Sequence, residues 1–166
     1  MKCFMTPSVP FAERWIIIMN NSIRWISEND IVKESIIEKV ENILGVKFPN
    51  DYIEVIIKNN GGYPRPNIFN LNGNEEVFNY LLSFDEEDGS NIINTYNDTK
   101  DRLMEKIIPF AEDPFGNMIC FDYRNNNQPV IVFWEHEIAF NDKEKAIKYI
   151  CNSFSDLLSI LHESRE

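Results

Sequence analysis

The sequence is short of cysteine, of cationic residues and of long apolar runs, and each shortage excludes a class of protein. Cys3, Cys120 and Cys151 are an odd number and lack the paired spacing of a zinc site or a disulfide framework. This cysteine usage is typical of a reduced, cytoplasmic protein. No apolar run approaches the roughly 20 residues that a membrane-spanning helix needs, so no membrane partner is expected.

Cationic residues are the scarcer of the two charged classes. Sixteen Lys and Arg stand against 27 Asp and Glu, which gives a formal net charge of −11 at pH 7. Binding to nucleic acid or to an anionic membrane surface needs clustered Lys and Arg, and neither partner is therefore expected. A strongly acidic protein attracts oppositely charged molecules, and we expect its partner to be basic.

The N-terminal residues stand apart from the pattern that follows them. Pro7 and Pro10 interrupt any apolar core, and Glu13-Arg14 follows, which argues against a signal peptide. We expect residues 1–18 to form a flexible appendage. Residues 19–166 then form a single domain, and a chain of this length can bury roughly 68–70% of its unfolded surface.

Two helices are predicted in the first half of the chain. Apolar spacing predicts the first from a cap at Asn29-Asp30 to Leu44, with Gly45 ending it in a left-handed conformation. Its apolar side would carry Val32, Ile36, Ile37, Val40 and Ile43. The second helix begins at Pro49 or Asn50 and stops at the glycine-containing run 59–62. Residues 63–67 contain two prolines and are predicted to form a loop.

The second half predicts strands followed by a helix. Asn72-Gly73 is a turn signal between strands over 68–71 and 77–84. Residues 85–90 are predicted to form an acidic loop, residues 91–103 a helix and residues 138–140 a short strand. Two apolar runs over 107–123 and 129–134 flank the polar turn 124–128, which predicts a hairpin at the centre of a sheet. Ser153 and Asp156 fit the capping box of a last helix. The predicted fold is α+β, with N-terminal helices, a mostly antiparallel β-sheet and a C-terminal helix packed on the sheet.

Three separated blocks of residues carry a recognisable pattern. They are Val40-Glu41-Asn42-Ile43-Leu44-Gly45-Val46 with Phe48-Pro49-Asn50-Asp51-Tyr52 and Asn59-Asn60-Gly61-Gly62; then Pro109-Phe110-Ala111, Asp113, Gly116-Asn117, Cys120-Phe121-Asp122 and Trp134-Glu135-His136-Glu137; then Ser153-Phe154, Leu157-Leu158 and Leu161. In this order they resemble the SUKH superfamily, the Smi/Knr-like domain proteins. The likeness covers about residues 21–163.

The resemblance implies an α+β fold and a non-enzymatic role. Bacterial relatives bind and neutralise a cognate protein toxin, often a nuclease, in the producing cell, and yeast relatives regulate cell-wall synthesis. The resemblance therefore implies an immunity protein. The alternative that it implies is a regulatory module that binds a housekeeping partner. The chain departs from the family pattern at Phe115, which precedes Gly116 where a second glycine is usual. Toxin contacts have no fixed positions in the family, so they must be argued from this sequence.

Catalytic and metal-binding interpretations of the central stretch are weak. Asp113, Gly116, Asn117 and Asp122 do not fit the spacing of an EF-hand, and a structural turn is favoured over calcium. A catalytic trio could consist of Cys120 as the nucleophile, His136 as the base and Asp122 as the residue that orients the base. However, no oxyanion hole is indicated, and Cys120 lies in an apolar run. A buried free thiol is favoured. No catalytic residue, metal ligand or cofactor is therefore predicted.

Aromatic residues of the same stretch could stack on single-stranded nucleic acid. They are Phe121, Tyr123, Phe133 and Trp134. No basic residue interleaves with them except Arg124, and a role in the sheet core is favoured.

Acidic residues dominate the stretch from Pro66 to Thr99, which contains no Lys or Arg. One interpretation is a solvated loop in an acidic protein, and the other is a surface complementary to a basic toxin. The predicted partner-binding residues are Glu75, Glu76, Asp85, Glu86, Glu87 and Asp88. The apolar residues that would anchor such an interface are not evident from the sequence.

Overall fold

The computed structural model describes residues 23–165, and the predicted appendage over residues 1–18 lies outside them. The helices are α1 (Glu34–Leu44), α2 (Asn50–Lys58), α3 (Ile92–Thr99), α4 (His136–Ala139) and α5 (Phe154–Ile160). The strands are β1 (Arg24–Ile26), β2 (Tyr63–Arg65), β3 (Ile68–Leu71), β4 (Asn74–Val77), β5 (Tyr80–Leu81), β6 (Ile107–Glu112), β7 (Met118–Asp122), β8 (Val130–Trp134) and β9 (Ile147–Cys151). The α+β prediction is confirmed. Within the described range, no helix is long and apolar enough to cross a membrane.

The main sheet has five antiparallel strands in the order β5-β6-β7-β8-β9. The predicted hairpin is confirmed as β7 and β8, with Met118 opposite Trp134 and Asp122 opposite Val130. Two smaller antiparallel pairs, β1-β2 and β3-β4, accompany the sheet.

Both faces of the central strands are buried. Alternate residues of β7 and β8, such as Phe121 and Phe133, point into the main core. The intervening residues, such as Cys120 and Trp134, pack in a second cluster that includes Leu103, Ala139 and Ala146. Burial on both sides explains why these strands are continuous apolar runs instead of alternating ones.

Tyr52 lies at the centre of the main core. Its ring meets the ring of Phe121 at 5.1 Å, that of Phe154 at 5.4 Å and that of Phe110 at 5.6 Å, all edge to face. Such pairs add to the burial energy of each ring. They fix α2 and α5 against the same face of the sheet, as the predicted packing of the C-terminal helix requires.

The cap predicted for the first helix is wrong. The helix begins at Glu34, and Lys33 occupies the cap position without a side-chain hydrogen bond. The side chain of Asn29 instead donates to the carbonyl of Asn60 at 2.7 Å. The amide of Val32 donates to the carbonyl of Ile57 at 3.0 Å. These two long-range hydrogen bonds hold residues 29–32 along the end of α2.

Two strand predictions and one loop prediction also need correction. Residues 63–65 form β2 instead of a loop, and of the predicted strand over 77–84 only Val77, at the end of β4, and Tyr80–Leu81, which form β5, lie in strands. Strands β1 and β9 had no prediction. Residues 138–140 do not form a strand, because the chain enters α4 at His136, whose amide donates to the side-chain oxygen of Asn117 at 3.1 Å. The positive φ of Gly45 (71°) and the cap from Ser153 to the amide of Asp156 are confirmed.

Candidate functional site

The structure places the six predicted acidic residues in two groups. Strand β5 pairs with β6 so that Tyr80 faces Glu112 and Leu81 faces Ala111, and the chain then runs toward the start of β6. Asp85 to Asp88 follow in the loop between β5 and α3. Glu75 and Glu76 lie in β4, with Glu76 near Asp113 and Glu135.

The first group contains Glu76 and its acidic neighbours. Partial burial raises the pKa of Glu76, and the nearby carboxylates of Asp113 and Glu135 raise it further, while Lys148 lowers it. Lys148 also forms an ion pair with Glu135. This group therefore already contains its own cation.

The second group forms a loop with defined geometry. The carboxylate of Asp85 accepts the amide of Glu87 at 3.0 Å, and that of Asp88 accepts the amide of Ser90 at 2.9 Å. Asn91 then caps α3 by accepting the amide of Asn94 at 2.9 Å. These bonds hold the loop in one shape, although all four acidic residues are exposed.

A groove of about 560 Å³ separates this loop from the segment before α1. Carboxylates stand on both walls, from Glu28 and Asp30 on one side and from Asp85, Glu86 and Glu87 on the other. The remaining lining residues are Asn29, Ile31, Val32, Lys33, Ile36, Asn60 and Phe84. We call this groove, with its twelve lining residues, the acidic groove.

Two further depressions adjoin the acidic groove. One of about 290 Å³ lies between α1 and α3 and shares Ile36, Phe84 and Glu86 with it. The other, of about 480 Å³, lies beside β1 and shares Glu28 and Asn29 with it. The three depressions therefore form one recessed face.

Exposed apolar side chains stand on this face. Ile31 is 71% exposed in the acidic groove, and Ile43 is 56% exposed in the depression beside α3. Ile26 and Tyr63 are exposed beside β1. Ile43 lies on the predicted apolar side of α1 and lines the depression between α1 and α3 with Ile36 and Val40, but its side chain is exposed instead of buried. The recessed face therefore combines exposed apolar side chains with acidic ones.

The central stretch forms a structural turn, as predicted. The carboxylate of Asp113 is 2% exposed and accepts three hydrogen bonds, from the amides of Phe115 and Asn117 and from the side chain of Asn117, at 2.7 to 2.8 Å. Asp122 lies at the other end of β7 and pairs with Arg124 at 2.9 Å. Over residues 23–165 no cluster of His, Cys, Asp and Glu has the arrangement of a metal site.

The side chains of Cys120, Asp122 and His136 are either buried or bonded to other groups. Cys120 is fully buried, and burial raises the pKa of its thiol well above the usual value, with a further rise from Asp122. A thiol held neutral is a poor nucleophile. The ring of His136 bonds the side chain of Asn117 at 2.9 Å. The buried thiol is confirmed, and the geometry does not support nucleophilic catalysis by this trio.

Comparison with known proteins agrees with this architecture. The family model of the SMI1/KNR4 family (SUKH-1) matches residues 31–160, more than three quarters of the chain. The chain belongs to the SUKH-1 family. The match begins at Ile31 and ends at Ile160, so this SUKH-1 domain includes most of the acidic groove, all of the main sheet and α5.

A curated relative is also similar over part of this chain. The SPbeta prophage-derived uncharacterized protein YokK of Bacillus subtilis (strain 168) is 37% identical over 79 residues. That segment is 48% of this chain and 37% of the relative, so the chain spans well under half of the relative's length.

Proposed function

We propose that this SUKH-1 domain is an immunity protein that binds and neutralises a cognate protein toxin, a basic one such as a nuclease, in the cytoplasm of the producing cell. The family includes toxin immunity proteins, which supports this role. The observation that carries the proposal is the recessed face, where a fixed acidic loop lies beside exposed isoleucines. Neutralisation would be by occupation of the toxin surface and not by catalysis.

The charge of the face supports a basic partner. Opposite charge around an interface speeds diffusional encounter and sets specificity more than it sets affinity. Exposed ion pairs add only about 0–1 kcal/mol each, so most of the affinity would come from apolar side chains that lose water at the contact. The exposed side chains of Ile31 and Ile43 can supply that contribution.

Binding kinetics with a purified candidate toxin of the host test the proposal. Reversing Glu86 and Glu87 to lysine should slow association by about ten-fold at low salt and weaken its salt dependence, since steering by charge is lost. These two residues are chosen because the carboxylates of Asp85 and Asp88 hold the loop. The melting temperature should change little.

A matched control uses two exposed acids away from the recessed face. Glu54 and Glu105 are exposed and line none of its depressions, and their reversal makes the same change in net charge. Equal slowing by both double variants would show that net charge alone acts. No binding by the wild-type chain to any toxin of its host would favour the regulatory module.

A further inference from the structure

We infer that the acidic groove receives a segment of the partner in which cationic and apolar side chains alternate, and that Ile31 and Ile43 are the apolar contacts on this chain. The inference rests on the proposed function for the identity of the partner. It narrows the contact from the recessed face to the acidic groove and adds the chemistry of the segment that enters the groove.

The walls of the groove determine the charge of the occupant. Five carboxylates line it, two from the segment before α1 and three from the loop after β5. Two cations lie near them, Lys33 in the lining and Lys39, which is already ion-paired with Glu86. A cationic side chain between the walls would have carboxylates on both sides, whereas an anionic one would be repelled from both.

The floor of the groove determines the second property of the occupant. The aromatic ring of Phe84 is 4% exposed and lines both the groove and the depression between α1 and α3. Ile31 lines the groove at 71% exposure, and Ile43 lines the adjoining depression between α1 and α3 at 56% exposure. An occupant with charged side chains alone would leave these isoleucines in water. A segment with alternating side chains reaches both the carboxylates and the apolar surface.

The other acidic group is not part of the recessed face. Each group contains one ion-paired cation, Lys148 with Glu135 near Glu76 and Lys39 with Glu86 at the groove, so charge alone does not distinguish them. Neither Glu75 nor Glu76 lines the three depressions of the recessed face. The contact is therefore placed at the acidic groove and not at β4.

A synthetic peptide of alternating arginine and leucine, about ten residues long, is the probe. It is titrated into the full chain labelled with ¹⁵N, and backbone amide shifts are followed. We expect saturable shifts at Ile31, Asn60 and Phe84, and about a ten-fold weaker Kd for Ile31→Ser, the loss typical of one interface anchor. The double variant D30K/E87K should weaken binding by at least that factor.

Two comparisons make the result specific. The double variant E54K/E105K carries the same change in net charge outside the groove and should bind within about two-fold of the wild-type chain. A peptide with glutamate in place of arginine should not bind. Shifts centred on β4, equal weakening by both double variants, or no saturable binding would each overturn the inference.

Inhibition of a candidate toxin of the host separates this inference from the proposed function. If the wild-type chain inhibits that toxin and both Ile31→Ser and D30K/E87K inhibit it equally well, the groove assignment fails and the function stands. If the wild-type chain inhibits no toxin while the arginine peptide binds the groove, the function fails and the groove assignment stands.

Discussion

Replacing Tyr52 by phenylalanine should stabilise the protein. The Tyr52 side chain is fully buried among aromatic rings, and its hydroxyl has no hydrogen-bond partner among the described residues. Burial also raises the pKa of this hydroxyl well above its usual value. A buried polar group without a partner costs about 1–3 kcal/mol, and Tyr52→Phe removes that group while keeping the ring. We expect the free energy of unfolding to rise by about 1 kcal/mol, the low end of this range.

Tyr123→Phe is the matched control for this change. The hydroxyl of Tyr123 donates to the carbonyl of Lys47 at 2.8 Å. Its removal should lower the free energy of unfolding by about 1 kcal/mol, because a made hydrogen bond is lost. The two variants delete the same atom and are expected to act in opposite directions.

Urea denaturation followed by tryptophan fluorescence measures both variants. The midpoint should shift up for Tyr52→Phe and down for Tyr123→Phe with an unchanged slope, which shows that stability alone has changed. A loss of about 1 kcal/mol in Tyr52→Phe would mean that its hydroxyl has a partner. The described packing around α2 would then be wrong.

Three further predictions concern single side chains. Asp113→Ala should lower the free energy of unfolding by about 2–3 kcal/mol, because three hydrogen bonds to a buried carboxylate are lost. A change below about 0.5 kcal/mol in urea denaturation would contradict the hydrogen bonds described for this turn. The pKa of Glu76 is raised in the folded protein, so protonation of its carboxyl stabilises the fold below the unfolded pKa of 4.5, and this stabilisation is lost as pH rises through the folded pKa. Glu76→Gln should therefore raise the melting temperature at neutral pH but not in acid. An equal rise in melting temperature at both pH values would refute this. A variant whose only cysteine is Cys120 should react with iodoacetamide no faster than it unfolds, and rapid alkylation of the folded protein would contradict its burial.

The sequence predicts best where a local signal and a tertiary role coincide. The cap at Ser153 and the apolar spacing after it define α5, since the same residues that start the helix also bury one of its faces. The turn between two β-rich runs likewise predicts the hairpin of β7 and β8. In these elements no distant partner is needed to fix the local structure.

Elements fixed by distant partners were not predicted correctly. Asn29 has the residue type of a helix cap, but its side chain binds the carbonyl of Asn60 instead. Strands β1 and β2 have three residues each, too few for a pattern to be visible, and they form only by pairing with each other. The recessed face has the same origin, because its walls come from residues 28–33 and 85–87, which are far apart in the chain. The sequence therefore indicates the acidic loop but not the isoleucines beside it.

Inhibition of a purified toxin tests the central claim most directly. A purified candidate toxin of the host is assayed on its own substrate with increasing amounts of the wild-type chain. We expect complete loss of toxin activity at about one equivalent when the concentrations exceed Kd. At concentrations near the wild-type Kd, Ile31→Ser or D30K/E87K should need about ten-fold more protein for the same inhibition. Full toxin activity in a large excess of the wild-type chain would contradict it.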